Sequence, residues 1–169
     1  TSKTTQNQIL RNSKVNELKF LALNESINLM IQQKLFEKNI EEISLSLIKA
    51  NNYDDSFIDR FLNNQNLKKE FLKKANLTQE LFDKLYKDID DINTIYLSSN
   101  LSLDEEMINK LFERNIDNVN INLLKNANCS KEKIEEFLKL QDKIYNISIA
   151  HNAKLPSQLY LYLFSLGDY

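Results

Sequence analysis

The stretch LFEKNIEEISLSLIKANN at residues 35–52 returns as LFERNIDNVNINLLKNAN at residues 111–128. Eight of the eighteen positions are identical, and the two copies start 76 residues apart. Self-similarity of this kind restricts a chain to architectures in which one supersecondary unit stacks on copies of itself.

The echo resolves into a shorter period. With Asn24, Ala50, Lys74, Asn100, Asn126 and Asn152 as anchors, successive separations are 26, 24, 26, 26 and 26 residues. Three residues before each anchor stands Leu21, Leu47, Phe71, Leu97, Leu123 or Ile149, and three after stands Ile27, Tyr53, Leu77, Leu103, Cys129 or Leu155. Further on come the pairs Leu35–Phe36, Phe61–Leu62, Leu85–Tyr86, Leu111–Phe112, Phe137–Leu138 and Leu163–Phe164. These columns define the expected core.

Four residues after the anchors lie Asn28, Asp54, Thr78, Asp104, Ser130 and Pro156. The first five accept hydrogen bonds from free N–H groups at a helix start, and Pro156 suits a first turn. The apolar residues that follow, as in Met107–Ile108–Leu111–Phe112, recur at helical spacing, so each unit opens with an α-helix. The second half of each unit, as in ISLSLIK and VNINLLK, partly alternates. Acids or Asn at its start and Lys or His at its end favour a short α- or 3₁₀-helix over a strand.

The expected fold is therefore an all-α solenoid of about 26-residue units, each an α-helix followed by a short α- or 3₁₀-helix. Residues 1–169 read as a single helical-repeat domain of about six units. Ile9–Leu10 occupy the pair columns of an incomplete first unit, and SLGDY stops where another second helix is due. The expectation is a piece of a longer repeat array.

The segments IAHNAKLPSQLYLYLF (149–164), LKNANCSKEKIEEFL (124–138) and LSSNLSLDEEMINKLF (97–112) resemble the variant leucine-rich repeat family. That resemblance implies a right-handed superhelix of alternating α- and 3₁₀-helices and no common enzymatic activity. The chain departs from the family pattern at its Pro positions, where only Pro156 remains, and at its Arg positions, which hold Ser44, Lys68, Thr94, Asn120 and Asn146. Longer paired-helix repeats of about 40 residues are the alternative helical reading.

Composition narrows function by exclusion. A net charge of −2 gives no global basic field for non-specific nucleic-acid binding. One Cys and one His build no metal site, and the single Gly allows no phosphate-binding loop, so no cofactor or metal is expected. No apolar run is long enough to span a membrane and the polar start is unlike a signal peptide, which gives the expectation of a cytoplasmic protein without membrane contact.

Cys129 stands in an apolar column, so it reads as a small buried hydrophobe rather than a nucleophile paired with His151. His151 reads as an exposed base at a helix end. The acidic pairs Glu41–Glu42, Asp90–Asp91, Glu105–Glu106 and Glu135–Glu136 fall at helix starts or on polar faces, where they complement dipoles. Most of the five glycosylation sequons arise because Asn closes one helix and Ser or Thr opens the next. No nucleophile, base and oxyanion donors assemble, and the chain reads as non-enzymatic.

Two polar columns remain in the second helices: Ser44, Thr94, Asn120 and Asn146 in one, Ser46, Tyr96, Asn122 and Ser148 in the other. Read as a ladder of hydrogen-bonding groups, they are the expected contact face for another protein or peptide. The alternative face is a basic ridge of Lys49, Lys68, Lys69, Lys73, Lys74 and Lys125 for nucleic acid. The favoured function is a protein-interaction scaffold.

Overall fold

The computed structural model describes residues 3–12 and 14–167. Helix accounts for 68% of the chain, and no strand occurs among the described residues. Contacts divide the chain into two compact units, Thr1–Asn76 and Leu77–Tyr169.

The first unit contains α1 (Lys3–Asn12), α2 (Val15–Ala22), α3 (Leu29–Glu37), α4 (Glu41–Lys49), α5 (Ile58–Leu62) and α6 (Gln65–Lys74). Here α2 packs on α4 and α4 on α6, which makes one row of second helices. The first helices cover that row: α3 lies against α2 and α4, and α5 against α6. The second unit repeats the scheme with α7 (Gln79–Tyr86), α8 (Asp91–Ser98), α9 (Glu105–Phe112), α10 (Asp117–Lys125), α11 (Lys131–Leu138), α12 (Lys143–Ala150) and α13 (Ser157–Leu166). Its row runs α8, α10, α12, covered by α9, α11 and α13.

Local chemistry sets the helix starts. The side chains of Asn28, Asp54, Thr78, Asp104 and Ser130 each accept from a main-chain N–H two or three residues ahead, as the spacing predicts. Pro156 differs in detail. It sits just outside α13 with φ −59° and ψ 139°, and Ser157 is the first helical residue.

Of the two forms expected for the second helices, α or 3₁₀, the α form is found, and the alternation that the resemblance implies is absent among the described residues. The second helices are all α, eight to ten residues long, and among the described residues 3₁₀ geometry forms only Asp55–Phe57, the entry to α5. Three or four residues is the usual limit of a 3₁₀ run, and these segments exceed it. Side-chain caps at Asn64, Asp90 and Asp142 stabilise their first turns.

Turns use asparagine where glycine is scarce. Asn39, Asn51, Asn115 and Gln141 have φ between 50° and 53°, the left-handed region in which Asn is the best tolerated of the larger residues. Asn51 explains a displaced anchor: its left-handed turn lets Asn52 N–H reach back to Leu47 O at 2.9 Å, so Asn52 and not Ala50 holds the anchor site.

The anchors tie consecutive repeats. Asn52 donates its carboxamide to Ala22 O (3.0 Å) and Asn24 O (2.9 Å), Asn126 donates to Asn100 O (3.1 Å), and Asn152 donates to Leu124 O (3.0 Å) and Asn126 O (2.7 Å). The other end of the same group turns its own chain: the Oδ1 atoms of Asn126 and Asn152 accept from Asn128 N–H and Lys154 N–H, both at 2.9 Å. The third anchor also moves, by one residue from exposed Lys74 to buried Ala75, whose backbone (φ −57°, ψ 139°) matches that of Asn126 (φ −71°, ψ 131°). Alanine has no carboxamide, so the side-chain tie is lost there, next to the boundary between the two units.

The core follows the expected columns. Leu21, Leu47, Phe71, Leu97, Leu123 and Ile149 are all buried. An aromatic cluster fills the first unit, with Phe36 stacked on Phe57 at 4.3 Å and Phe61 5.7 Å from Phe71. Aliphatic residues dominate the second, including Leu103, Ile108, Leu111 and Leu124. Phe164 is a correction: it is 70% exposed, because only Leu163 of α13 turns inward against α12. Leu10 is buried, whereas the Ile9 side chain and the final Asp168–Tyr169 lie outside the described residues.

Candidate functional site

The two polar columns do not form an open ladder. Ser44, Ser46, Thr94, Asn120, Asn146 and Ser148 are all buried, and only Tyr96 and Asn122 are partly exposed. This corrects the expected contact face. Neighbouring second helices lie side by side, and short polar side chains fill the seam between them.

Three hydroxyls among them are satisfied internally, whereas the buried Oδ1 atoms of Asn120 and Asn146 accept no hydrogen bond among the described residues. The hydroxyls of Ser46, Thr94 and Ser148 donate to the carbonyls of Glu42, Asp90 and Ile144 at 2.8, 2.8 and 2.9 Å, each one turn back on the same helix. Asn122 crosses the seam and donates to Ile95 O (3.2 Å) and Ser98 Oγ (3.0 Å) on α8.

With those residues turned inward, different ones face outward. Ile92, Ile144 and Ile147 are 65%, 59% and 37% exposed, and Ile95 and Ile121 are partly exposed. Ile95, Ile121 and Ile147 occupy one column at 26-residue intervals on α8, α10 and α12, and Ile92 and Ile144 lie one turn earlier on the two flanking helices. Helix periodicity puts positions three apart on one face, so the five form a stripe across the row. Exposed apolar surface is ordinary when scattered, but a stripe on neighbouring helices is the usual mark of a contact surface.

Charged groups border the stripe on both sides. Towards the helix starts lie the exposed Asp91, Asp117 and Asp142, with Lys143 among them; towards the helix ends lie the exposed Lys125 and His151. Asp91 pairs with Arg114 at 3.4 Å, and Asp117 accepts from Tyr145 OH at 3.0 Å. Burial pushes the Tyr145 phenol above its usual range, and the hydrogen bond from Asn120 opposes that shift. His151 places Nδ1 2.7 Å from Ile147 O, at the carbonyl end of α12, where a basic group is expected.

No family model, curated protein or solved structure matches this chain. Its function has to be argued from its own residues.

The lysines separate. Lys49 is exposed at the end of α4; Lys69 and Lys74 are exposed on α6, with Lys68 and Lys73 half-buried there. Since α4 packs on α6, these five share the first unit, whereas Lys125 belongs to the second. The row of the first unit therefore carries these lysines, and the row of the second unit carries the isoleucines.

The Cys129 thiol is buried, and burial pushes it up to about 12, so at neutral pH it is a thiol and not a thiolate nucleophile. Among the described residues no three acids, cysteines or histidines cluster in metal-binding geometry. Likewise, no described helix is long and apolar enough to cross a membrane.

Sequence reasoning missed the isoleucine stripe by one position per helix. The signal was there: Ile95, Ile121 and Ile147 repeat with the same interval as the core columns, one residue away from the polar columns chosen.

Proposed function

We propose that this chain is a non-enzymatic helical-repeat module that binds another protein through the isoleucine stripe of α8, α10 and α12. The repeat units are about 26 residues long and stack as a right-handed α-solenoid related in pattern to the variant leucine-rich repeats. Ties at 28, 26 and 26 residues, made by Asn52, Asn126 and Asn152, support that unit length.

One observation carries the reading: on α8, α10 and α12 the hydropathy is inverted. Thr94, Asn120 and Asn146 are buried while Ile92, Ile144 and Ile147 meet solvent. Packing alone would favour the opposite arrangement, since burying one isoleucine side chain is worth roughly 1.5–3 kcal/mol. A surface that forgoes this gain in isolation recovers it when a partner covers the stripe.

A photo-crosslinking residue at position 121, set beside the same residue at the exposed position 109 on α9, tests the reading in a lysate of the cells that make the protein. Protease-sensitive, nuclease-resistant products specific to position 121 are expected. Equal products at both positions would overturn the stripe as the contact face.

A second reading rests on the five lysines of α4 and α6, which suit phosphate contacts. Nucleic-acid binding through them would weaken steeply with salt and disappear on replacing Lys69 and Lys74 with Glu. Salt-insensitive binding would count against it.

A further inference from the structure

Given that the isoleucine stripe is the contact face, we infer that its occupant is an amphipathic α-helix lying across α8, α10 and α12. Its two flanks would carry opposite charge. The inference rests on the spacing of the column and on the charges bordering it.

Packed helices lie about 8–10 Å apart, so Ile95, Ile121 and Ile147 present a bump at each such interval. An α-helix rises about 1.5 Å per residue and brings a side chain back to the same face every seven residues, about 10.5 Å along its axis. It therefore meets all three isoleucines with one apolar stripe. An extended strand covers about 10 Å in three residues and turns successive contacts to opposite faces, because its side chains alternate. Only every second isoleucine would be engaged. Ile92 and Ile144 broaden the stripe at its two outer helices, where i+3 and i+4 positions of the occupant would rest.

The borders set its orientation. Asp91, Asp117 and Asp142 line one side, with two bases among them, Lys143 and the Arg114 that pairs with Asp91 at 3.4 Å, and Lys125 and His151 line the other. An occupant with Lys or Arg along its first flank and Asp or Glu along its second has complementary charge on both sides, and the reverse orientation sets like charges together.

The test is selection of phage-displayed random peptides of about 24 residues, long enough for three heptad steps of helix, on the immobilised 169-residue chain. Each selected pool is counter-screened against Ile147→Asp and, as a milder change, Ile147→Ser, both checked for folding by circular dichroism. The expected peptides carry apolar residues at i, i+3 or i+4, and i+7, gain helical signal on binding, and lose at least tenfold in affinity against Ile147→Asp. Those with an acidic flank should weaken severalfold against Lys125→Glu. Isoleucine-dependent peptides with alternating or proline-rich patterns would overturn the helical occupant and leave the stripe standing as the contact face. Failure to recover any isoleucine-dependent peptide would overturn both.

Discussion

The carboxamide of Asn152 donates to the main-chain oxygen of Asn126 at 2.7 Å, and Asn126 in turn donates to that of Asn100 at 3.1 Å. One residue type thus turns its own chain and holds the unit before it. Both donors are buried, so each bond is made without competition from water.

Asn152→Ala should therefore cost about 1–3 kcal/mol, because it takes the side-chain donor from the buried Leu124 carbonyl, while the Asn126 carbonyl keeps the Cys129 N–H at 3.0 Å. Asn118→Ala, at an exposed position of α10, should stay within about 0.5 kcal/mol of the parent. Urea denaturation of the two variants checks the difference. Equal losses would show that the ties do not hold the units.

Adjacent residues on α12 give an opposed pair. Ser148 is buried in the seam and Ile147 is exposed, so Ser148→Ile should overpack and destabilise by about 1–3 kcal/mol. Ile147→Ser, at a residue 37% exposed, should cost about 1 kcal/mol or less. Thermal melts of both proteins decide whether the inverted hydropathy is real.

How far the sequence was legible depends on what each residue does. Helix starts were readable because a capping oxygen acts locally, as at Asp104 on Met107 N–H. Core columns were readable because Leu97 or Leu123 has no other favourable place. The seam was not, since Thr94 and Ser148 look like solvent residues in any hydropathy pattern. Burial suits them only because their hydroxyls bond their own helix and their small size lets two helices approach. Asn52 was missed for a different reason: the left-handed turn at Asn51 shifts the anchor by two residues, a backbone event that fixed spacing does not reveal.

Leu111→Asp places an unpaired charge in a fully buried site of α9, so a loss of several kcal/mol is expected. An unchanged melting temperature would refute the column assignment. Phe61→Ala, which opens the aromatic cluster of the first unit, should cost about 3–5 kcal/mol by the same measurement.

Stability should fall in alkali. Burial pushes both the Cys129 thiol and the Tyr53 phenol up to about 12, from ordinary values of 9.0 and 10.0, with Asp55 adding to the shift at Tyr53. Between those values and about 12 the folded chain holds protons that the unfolded chain has lost. This contribution is fully present below about pH 8.5 and shrinks as pH rises through the window. Urea midpoints at pH 8 and pH 10.5 test the sign, and Cys129→Ala should flatten part of the slope. The same burial predicts slow reaction of Cys129 with a disulfide reagent at pH 8 until urea is added.

The asparagine ties also bear on how quickly such a chain can organise. Each spans only 26 to 30 residues, so none has to wait for distant parts of the polypeptide to meet. Loop closure over so short a span costs little entropy, and chains dominated by near-neighbour pairings fold on microsecond to millisecond timescales. Lengthening such a stack by further units adds more short closures and no long one, which leaves the search at each step the same size.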